Sequence, residues 1–317
     1  VILFLLGPTA TGKTALSTRL AKALSAEIIS VDSALVYRGL DIGTAKPGVE
    51  ERDGVVHHLI DIRDPCESYS AAEFASDAWQ LITEIQSRGR TPLLVGGTML
   101  YFNALEQGIA KLPTANTDIR NEIMAEAEVR GWAALHEDLA RIDPPSAKKI
   151  HPNDPQRLQR ALEVYRITGK ALSELHSETK PLLTEKPVKF ALVPESRAWL
   201  HERIERRLML MREAGFLDEV RTLMQDERNH AELPSMRSVG YRQAYAHLTA
   251  CAEDGIATDE KWMQKAAAAT RQLAKRQFTW IRSMDSLMKL ACDSLDTTAQ
   301  LNKILDTVDK VNKGSSL

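Results

Sequence analysis

Gly7, Gly12, Lys13 and Thr14 stand at the spacing G-x-x-x-x-G-K-[ST] within VILFLLGPTATGKTALSTRLAKAL, and each residue type suits one task in holding a di- or triphosphate. The glycines let the backbone curl, so that its N–H groups and the N-terminus of the following helix surround an anion. Thr9, Ala10 and Thr11 complete the loop, Lys13 adds a mobile positive charge, and Thr14 offers a hydroxyl to Mg²⁺ beside the phosphates. With average residue usage such a match arises in about one chain in a hundred of this length. Its position between an apolar run and a helix-period pattern makes accident rarer still.

Other stretches add chemistry. EIISV ends at Asp32, a carboxylate at the C-terminal end of a second strand, where parallel topology brings it near the phosphate loop. The same residue could instead cap the next turn. Beyond it, Tyr37, Arg38, Asp41, Thr44 and Lys46 crowd polar groups into a Gly/Pro loop that suits either a ligand or solvent. TPLLV stops at Gly96, Gly97 and Thr98, and not at the Asp with which a standard ATPase holds Mg²⁺. Thr98 offers a hydroxyl there, which also suits a helix N-cap. Arg157 and Arg160 lie three apart after Pro155, and Arg203 and Arg207 four apart, so each pair shares a helix face. Arg203 and Arg207 either reach a diphosphate or pair with Glu202 and Glu205. From Gln264 to Met284 there are five Lys or Arg, no Asp or Glu, and the aromatics Phe278 and Trp280. That mixture suits a phosphate backbone and unstacked bases.

The elements that must position these groups alternate strand and helix up to about residue 112, the pattern of a parallel α/β sheet. Trp79 and Phe74 in the helix-period stretch SYSAAEFASDAWQLITEIQSRG are expected in the core. Residues 113–187 keep helix periodicity with Pro breaks and offer no strand, so they are read as an all-helical insertion. VKFALVP then returns to the sheet, and residues 188–317 form the rest of the core and C-terminal helices with a basic face. The polar tail after Asp293, ending KVNKGSSL, is expected to fray.

Composition sets outer limits. The 317 residues are 44% apolar and 26% charged with a net charge of −2, so nucleic-acid binding has to rest on local clusters. No apolar run approaches the ~20 residues of a membrane span, and Val1–Leu6 is too short for a signal core. Cys66, Cys251 and Cys292 are odd in number and form no metal-ligand pattern, which points to reduced thiols and a cytoplasmic enzyme. His57 and His58 are adjacent and not at helical ligand spacing, so no metal is assigned to them. A small-molecule kinase would also use a phosphate loop, a strand-end Asp and downstream arginines.

Taken together, GPTATGKT, SVDSALVYRGLDIGTAKP, LLVGGTMLYF, HPNDPQRLQRALEVYRITGK, RSVGYRQ and TRQLAKRQFTWIR resemble the bacterial tRNA dimethylallyltransferases over nearly the whole chain and in that family's order. The resemblance implies an α/β fold, a parallel sheet of the P-loop nucleoside triphosphate hydrolase type flanked by helices, with the insertion as a tRNA-binding domain. It implies transfer of a dimethylallyl group from dimethylallyl diphosphate to the exocyclic amine of the adenosine just 3′ of the anticodon. The phosphate loop and Lys13, with Arg203 and Arg207, would then hold the diphosphate, with Mg²⁺ at Thr14. Asp32 would be the base, with Thr98 against the adenosine and departing group. Implied tRNA contacts are Asp32, Ser33, Ala34, Leu35, Thr98 and Arg120, then Gln156, Arg157, Leu158, Gln159 and Arg160 in the insertion. Further along come Arg237, Ser238, Val239, Gly240, Tyr241 and Arg242, then Lys275, Arg276, Gln277, Phe278, Thr279, Trp280, Ile281 and Arg282. Leu35 departs from the pattern, since many relatives carry Gln there. The implied partner is the tRNA anticodon stem-loop, with no membrane and no obligate protein partner, and a monomer is expected.

Overall fold

The computed structural model describes residues 1–110, 112–177, 179–254 and 259–314. Its strands are β1 (Leu3–Leu6), β2 (Ala26–Val31), β3 (His57–His58), β4 (Thr91–Gly96), β5 (Val188–Val193) and β6 (Leu287–Ala291). They form one all-parallel sheet in the order β3-β2-β4-β1-β5-β6. LFLL and AEIISV are buried at every position. A strand covered by helices on both faces needs such a continuous run, where a one-sided strand would alternate.

The helices are α1 (Lys13–Ala23), α2 (Val49–Arg52), α3 (Ala71–Ser87), α4 (Met99–Gln107), α5 (Thr117–Ile142), α6 (Pro144–Lys149) and α7 (Pro155–Thr168), then α8 (Leu172–Ser177), α9 (Arg197–Glu213), α10 (Phe216–Met224), α11 (Tyr241–Asp254), α12 (Asp259–Arg282) and α13 (Thr297–Asn312). By internal contacts the chain forms two units, residues 1–103 with 183–317, and residues 104–182. In the first, one core joins Leu3, Leu5, Ile28, Leu93 and Phe190 of the sheet to Leu16 and Leu20 of α1 and to Ile304 and Val308 of α13. Phe4 meets Phe102 at 4.9 Å, and Phe74 stacks on Tyr101 at 4.5 Å.

In the helical unit, Gly108 lies so near the returning chain that a Cβ there would meet Lys180 O at 2.1 Å, so the two ends of the unit run close together. Ile123, Ala127, Leu135, Leu139, Leu158 and Leu162 make its core. α5 is broken at Gly131 by φ 79°. α7 starts on an Asp154 cap with Pro155 at its first turn and ends at left-handed Gly169.

Two expectations are corrected and one strand is added. Trp79 is 45% exposed, because it sits on the face of α3 away from Phe74, Ala78, Ile82 and Ile85. LMKLA, unremarked in the sequence, is β6, pairing with β5 at the sheet edge. The tail after Asp293 forms α13, whose Ile304 and Val308 are core, while residues 315–317, also expected to fray, lie outside the described residues.

Register explains where the site must be. Leu6 and Val31 both pair with Gly96, so Gly7, Asp32 and Gly97 leave the sheet at one level, on one edge. With strands ~4.8 Å apart, about 10 Å separates the starts of the loops at Gly7 and Asp32. A Cβ on Gly96 would sit 2.0 Å from Val31 O. Gly96→Ala is therefore expected to force β2 and β4 apart and cost about 3 kcal/mol or more, measured by urea unfolding. A change under about 0.5 kcal/mol would contradict that packing.

Candidate active site

Beyond β1 the backbone takes up the left-handed region at Ala10 (φ 65°) and Gly12 (φ 92°). Such alternation turns successive N–H groups toward one concavity, an anion nest. A non-glycine residue at positive φ costs about 1–2 kcal/mol and persists only where its surroundings hold it. Arg203 of α9 supplies part of that hold, since its Nε donates to Ala10 O at 2.7 Å while its guanidinium stacks on Trp199 at 4.7 Å. Thr11 Oγ1 donates to Pro8 O at 2.8 Å, and Lys13 Nζ donates to Gly7 O at 2.9 Å and Pro8 O at 2.7 Å.

Burial pushes the Lys13 amine down to about 8, the Arg207 cation adds to that shift, and Asp32 partly opposes it. Arg207 is likewise lowered, chiefly by burial, again against Asp32, and its Nη2 donates to Thr44 O at 2.8 Å. Lys13, Arg207 and Asp32 thus share one electrostatic neighbourhood in which cations outnumber the carboxylate.

Asp32 is held at one oxygen. Oδ1 accepts the N–H groups of Ala34 at 2.8 Å and Leu35 at 3.2 Å, while no hydrogen bond among the described residues uses Oδ2. Turn capping and proton acceptance are therefore compatible roles for two oxygens of one group. Thr98, at the start of α4, accepts Ser33 N–H on its Oγ1 at 3.1 Å, tying the β4 end to the Asp32 loop.

These groups line a cleft of about 870 Å³ with Lys13, Arg203, Arg206, Arg207, Arg237 and Arg276 in its wall, and Asp32 is its one carboxylate among the described residues. Leu35, Met99, Leu100, Leu210 and Trp280 give it an apolar side. Thr9, Ala10, Thr11, Gly12, Thr14, Ser33, Ala34, Thr98, Ser238, Val239, Gly240 and Gln277 also line it.

Not every expected contact faces this space. Arg242, Lys275, Thr279 and Arg282 are exposed and Phe278 is half-buried, all outside the cleft lining. Leu158 and Ile281 are corrections, since both side chains are buried as core, while Tyr241 is buried in the wall of the cleft. Leu158 and Ile281 each occupy the inward position of a helix whose neighbours are more exposed. Gln277 is also buried, with both arms of its amide bonded within the protein. In the helical unit Gln156 and Arg157 are exposed, but Arg120 and Arg160 are engaged by the buried Glu163, at 2.9 Å and 2.7 Å, and Gln159 donates to Arg120 O at 3.2 Å. Burial pushes the Glu163 carboxyl up, but hydrogen bonds from Arg120, Arg160 and Asn116 N–H outweigh it and leave the group lowered.

Sequence reasoning missed Glu219, which accepts the N–H groups of Asp41 at 3.1 Å, Ile42 at 2.7 Å and Gly43 at 3.2 Å, and also the Tyr241 hydroxyl. It fastens the loop after Asp32 to α10, across a separation no local pattern signals. Trp199 was missed too, though its i, i+4 spacing from Arg203 was available as a signal.

Comparison with known proteins gives concordant matches. The family model for IPP transferase matches residues 35–284. A tRNA dimethylallyltransferase of Acidovorax sp. (strain JS42) is 53% identical over 94% of each chain, and one from Methylibium petroleiphilum is 53% identical over 94% of this chain and 91% of its own. Among solved structures, the tRNA isopentenylpyrophosphate transferase of Bacillus halodurans aligns with TM-score 0.69 and 40% identity, covering 97% of this chain and 95% of its own. A eukaryotic dimethylallyltransferase acting on tRNA aligns with TM-score 0.81 and 27% identity, covering 100% of this chain and 80% of its own.

Proposed function

The chain belongs to the IPP transferase family, and from that premise we propose how its cleft works. It transfers a dimethylallyl group to tRNA. The donor is dimethylallyl diphosphate, and the acceptor is the exocyclic amine of the adenosine 3′ of the anticodon. The observation that carries this reading is the common edge of β1, β2 and β4, where an anion nest, a half-held carboxylate and a threonine hydroxyl line one cationic cleft.

The bond between the allylic carbon and the diphosphate oxygen breaks, leaving positive charge on carbon and added negative charge on the departing diphosphate. Loop N–H groups, Lys13, Arg203 and Arg207 are donors fixed before that charge appears, the condition under which electrostatic stabilisation is strongest. The adenine amine is a poor nucleophile, but its proton turns acidic as the C–N bond forms, and Asp32 Oδ2 receives it. Thr98 steadies the adenosine and the leaving group. Leu35, Leu100 and Trp280 offer apolar surface to the prenyl chain and the unstacked base, which is drawn from a single-stranded loop at modest cost.

No group of three His, Cys, Asp or Glu among the described residues could hold a metal by itself. The exposed Thr14 hydroxyl fits an ion carried mainly by phosphate oxygens, the way Mg²⁺ is commonly held. Such an ion would neutralise diphosphate charge. No helix among the described residues is long and apolar enough to cross a membrane, and the proposed site of action is the cytoplasm.

The exposed Lys275 and Arg282 of α12 and Arg157 of α7 are proposed phosphate contacts on the tRNA. Arg282→Ala is expected to weaken tRNA binding and make its log–log salt dependence shallower by about one. An unchanged slope would remove Arg282 from those contacts. Function itself is tested by nucleoside mass spectrometry of tRNA after incubation with the chain, dimethylallyl diphosphate and Mg²⁺. Prenylated adenosine at the expected position is the predicted product. Consumption of ATP on a small acceptor, with no prenyl-adenosine, would make this a kinase instead.

A further inference from the structure

Gln277 lies on the basic helix α12 yet is only 7% exposed, and its amide spans two loops of the cleft. Its Oε1 accepts Thr9 N–H at 3.1 Å, and its Nε2 donates to Gly97 O at 2.8 Å. The amide can be oriented only one way, because a backbone N–H only donates and a carbonyl only accepts. Thr9 belongs to the anion nest, and Gly97 immediately precedes Thr98. A single side chain therefore joins the loop that holds the leaving group to the segment that faces the acceptor.

Gly97 supplies an independent sign of the same contact. A Cβ at this position would lie 2.5 Å from Gln277 Nε2 and no closer than 3.3 Å to any other heavy atom found near it, Gly7 O. Its φ is not positive, so backbone freedom does not explain the glycine. Room for the Gln277 amide does.

We propose that Gln277 is a positioning residue for prenyl transfer, a clamp that sets the separation of the diphosphate cradle and Thr98, and not one of the tRNA contacts. The inference rests on reading the cradle as the diphosphate site. Reacting groups displaced by about 1 Å lose on the order of 10² in rate, and the clamp spans the two sides that must stay in register. Only an amide does this. Glu in its place would accept from Thr9 but could not donate to Gly97 O, and Met would do neither.

The test is a double-mutant cycle with Gln277→Ala and Gly97→Ala, read as kcat at saturating substrates, tRNA Kd, and the affinity of inorganic pyrophosphate. Gln277→Ala is expected to lower kcat about 10²-fold and pyrophosphate affinity several-fold, with tRNA Kd within about twofold. Gly97→Ala alone should do similar damage by pushing the amide away, and the double variant should be no worse than either single one. Multiplying defects in the cycle would overturn the clamp. So would a tenfold weaker tRNA Kd with kcat retained, which would make Gln277 an RNA contact. Pyrophosphate binding unchanged in Gln277→Ala would also count against it, and that readout needs no turnover. Failure of the broader reading would show separately, as wild-type chain that binds pyrophosphate but makes no prenyl-adenosine.

Discussion

Asp32→Ala is expected to lower kcat by about 10³–10⁴ while tRNA affinity stays within several-fold. General-base removal typically costs about 10²–10⁴, and the upper end is expected because Asp32 is the one carboxylate lining the cleft among the described residues. No second carboxylate among the described residues lines the cleft to take over the proton. Asp32→Asn separates the two uses of the side chain. Its carbonyl oxygen can still accept the N–H groups of Ala34 and Leu35, so the turn survives, but the basic oxygen is gone. Single-turnover rates should therefore be nearly as low for Asn as for Ala. Retained activity in the Asn variant would assign Asp32 to the turn alone, and parallel losses of rate and affinity would make it a binding residue.

Lys13→Gln is expected to lower kcat/KM for the donor by about 10²–10³, the usual effect of removing one well-placed donor to a developing anion. The amine also makes binding depend on pH. Held at about 8 by burial and Arg207, it is protonated in the free protein below that pH and increasingly neutral above it. A bound diphosphate favours the charged form and raises the value again. Donor affinity is therefore full below about pH 8 and falls by up to tenfold per pH unit above it, with proton uptake on binding. Calorimetry with inorganic pyrophosphate in two buffers of different ionisation heat measures that uptake. Lys13→Gln should remove it, and an unchanged pH dependence in the variant would place the titrating group elsewhere.

Much of this architecture was legible because it is local. The phosphate loop declares itself through Gly12, Lys13 and Thr14 within a few residues, and the strands declare themselves as uninterrupted apolar runs such as LFLL. Parallel topology then forces Asp32 and Gly97 to the edge where the loop begins. What was not legible depends on distant pairing. β6 is short and only partly buried, so LMKLA carries little periodic signal until β5 is beside it. Gln277 reads as one more polar residue in a basic stretch, and only the folded chain brings it against Thr9. Arg120 and Arg160 are expected as tRNA contacts, and the buried Glu163 engages both; its i, i+3 spacing from Arg160 is local, but its pairing with Arg120 of α5, 43 residues away, is not. Ion pairs and hydrogen bonds across the fold engage such residues without leaving a local trace.

The most direct test is a structure of the chain with tRNA and an unreactive thio-analogue of dimethylallyl diphosphate. The diphosphate should lie in the nest of residues 9–14 within hydrogen-bond reach of Lys13, with an Asp32 carboxylate oxygen facing the adenosine amine. A diphosphate bound elsewhere, with Lys13 and Asp32 both remote from the allylic carbon, would contradict the mechanism.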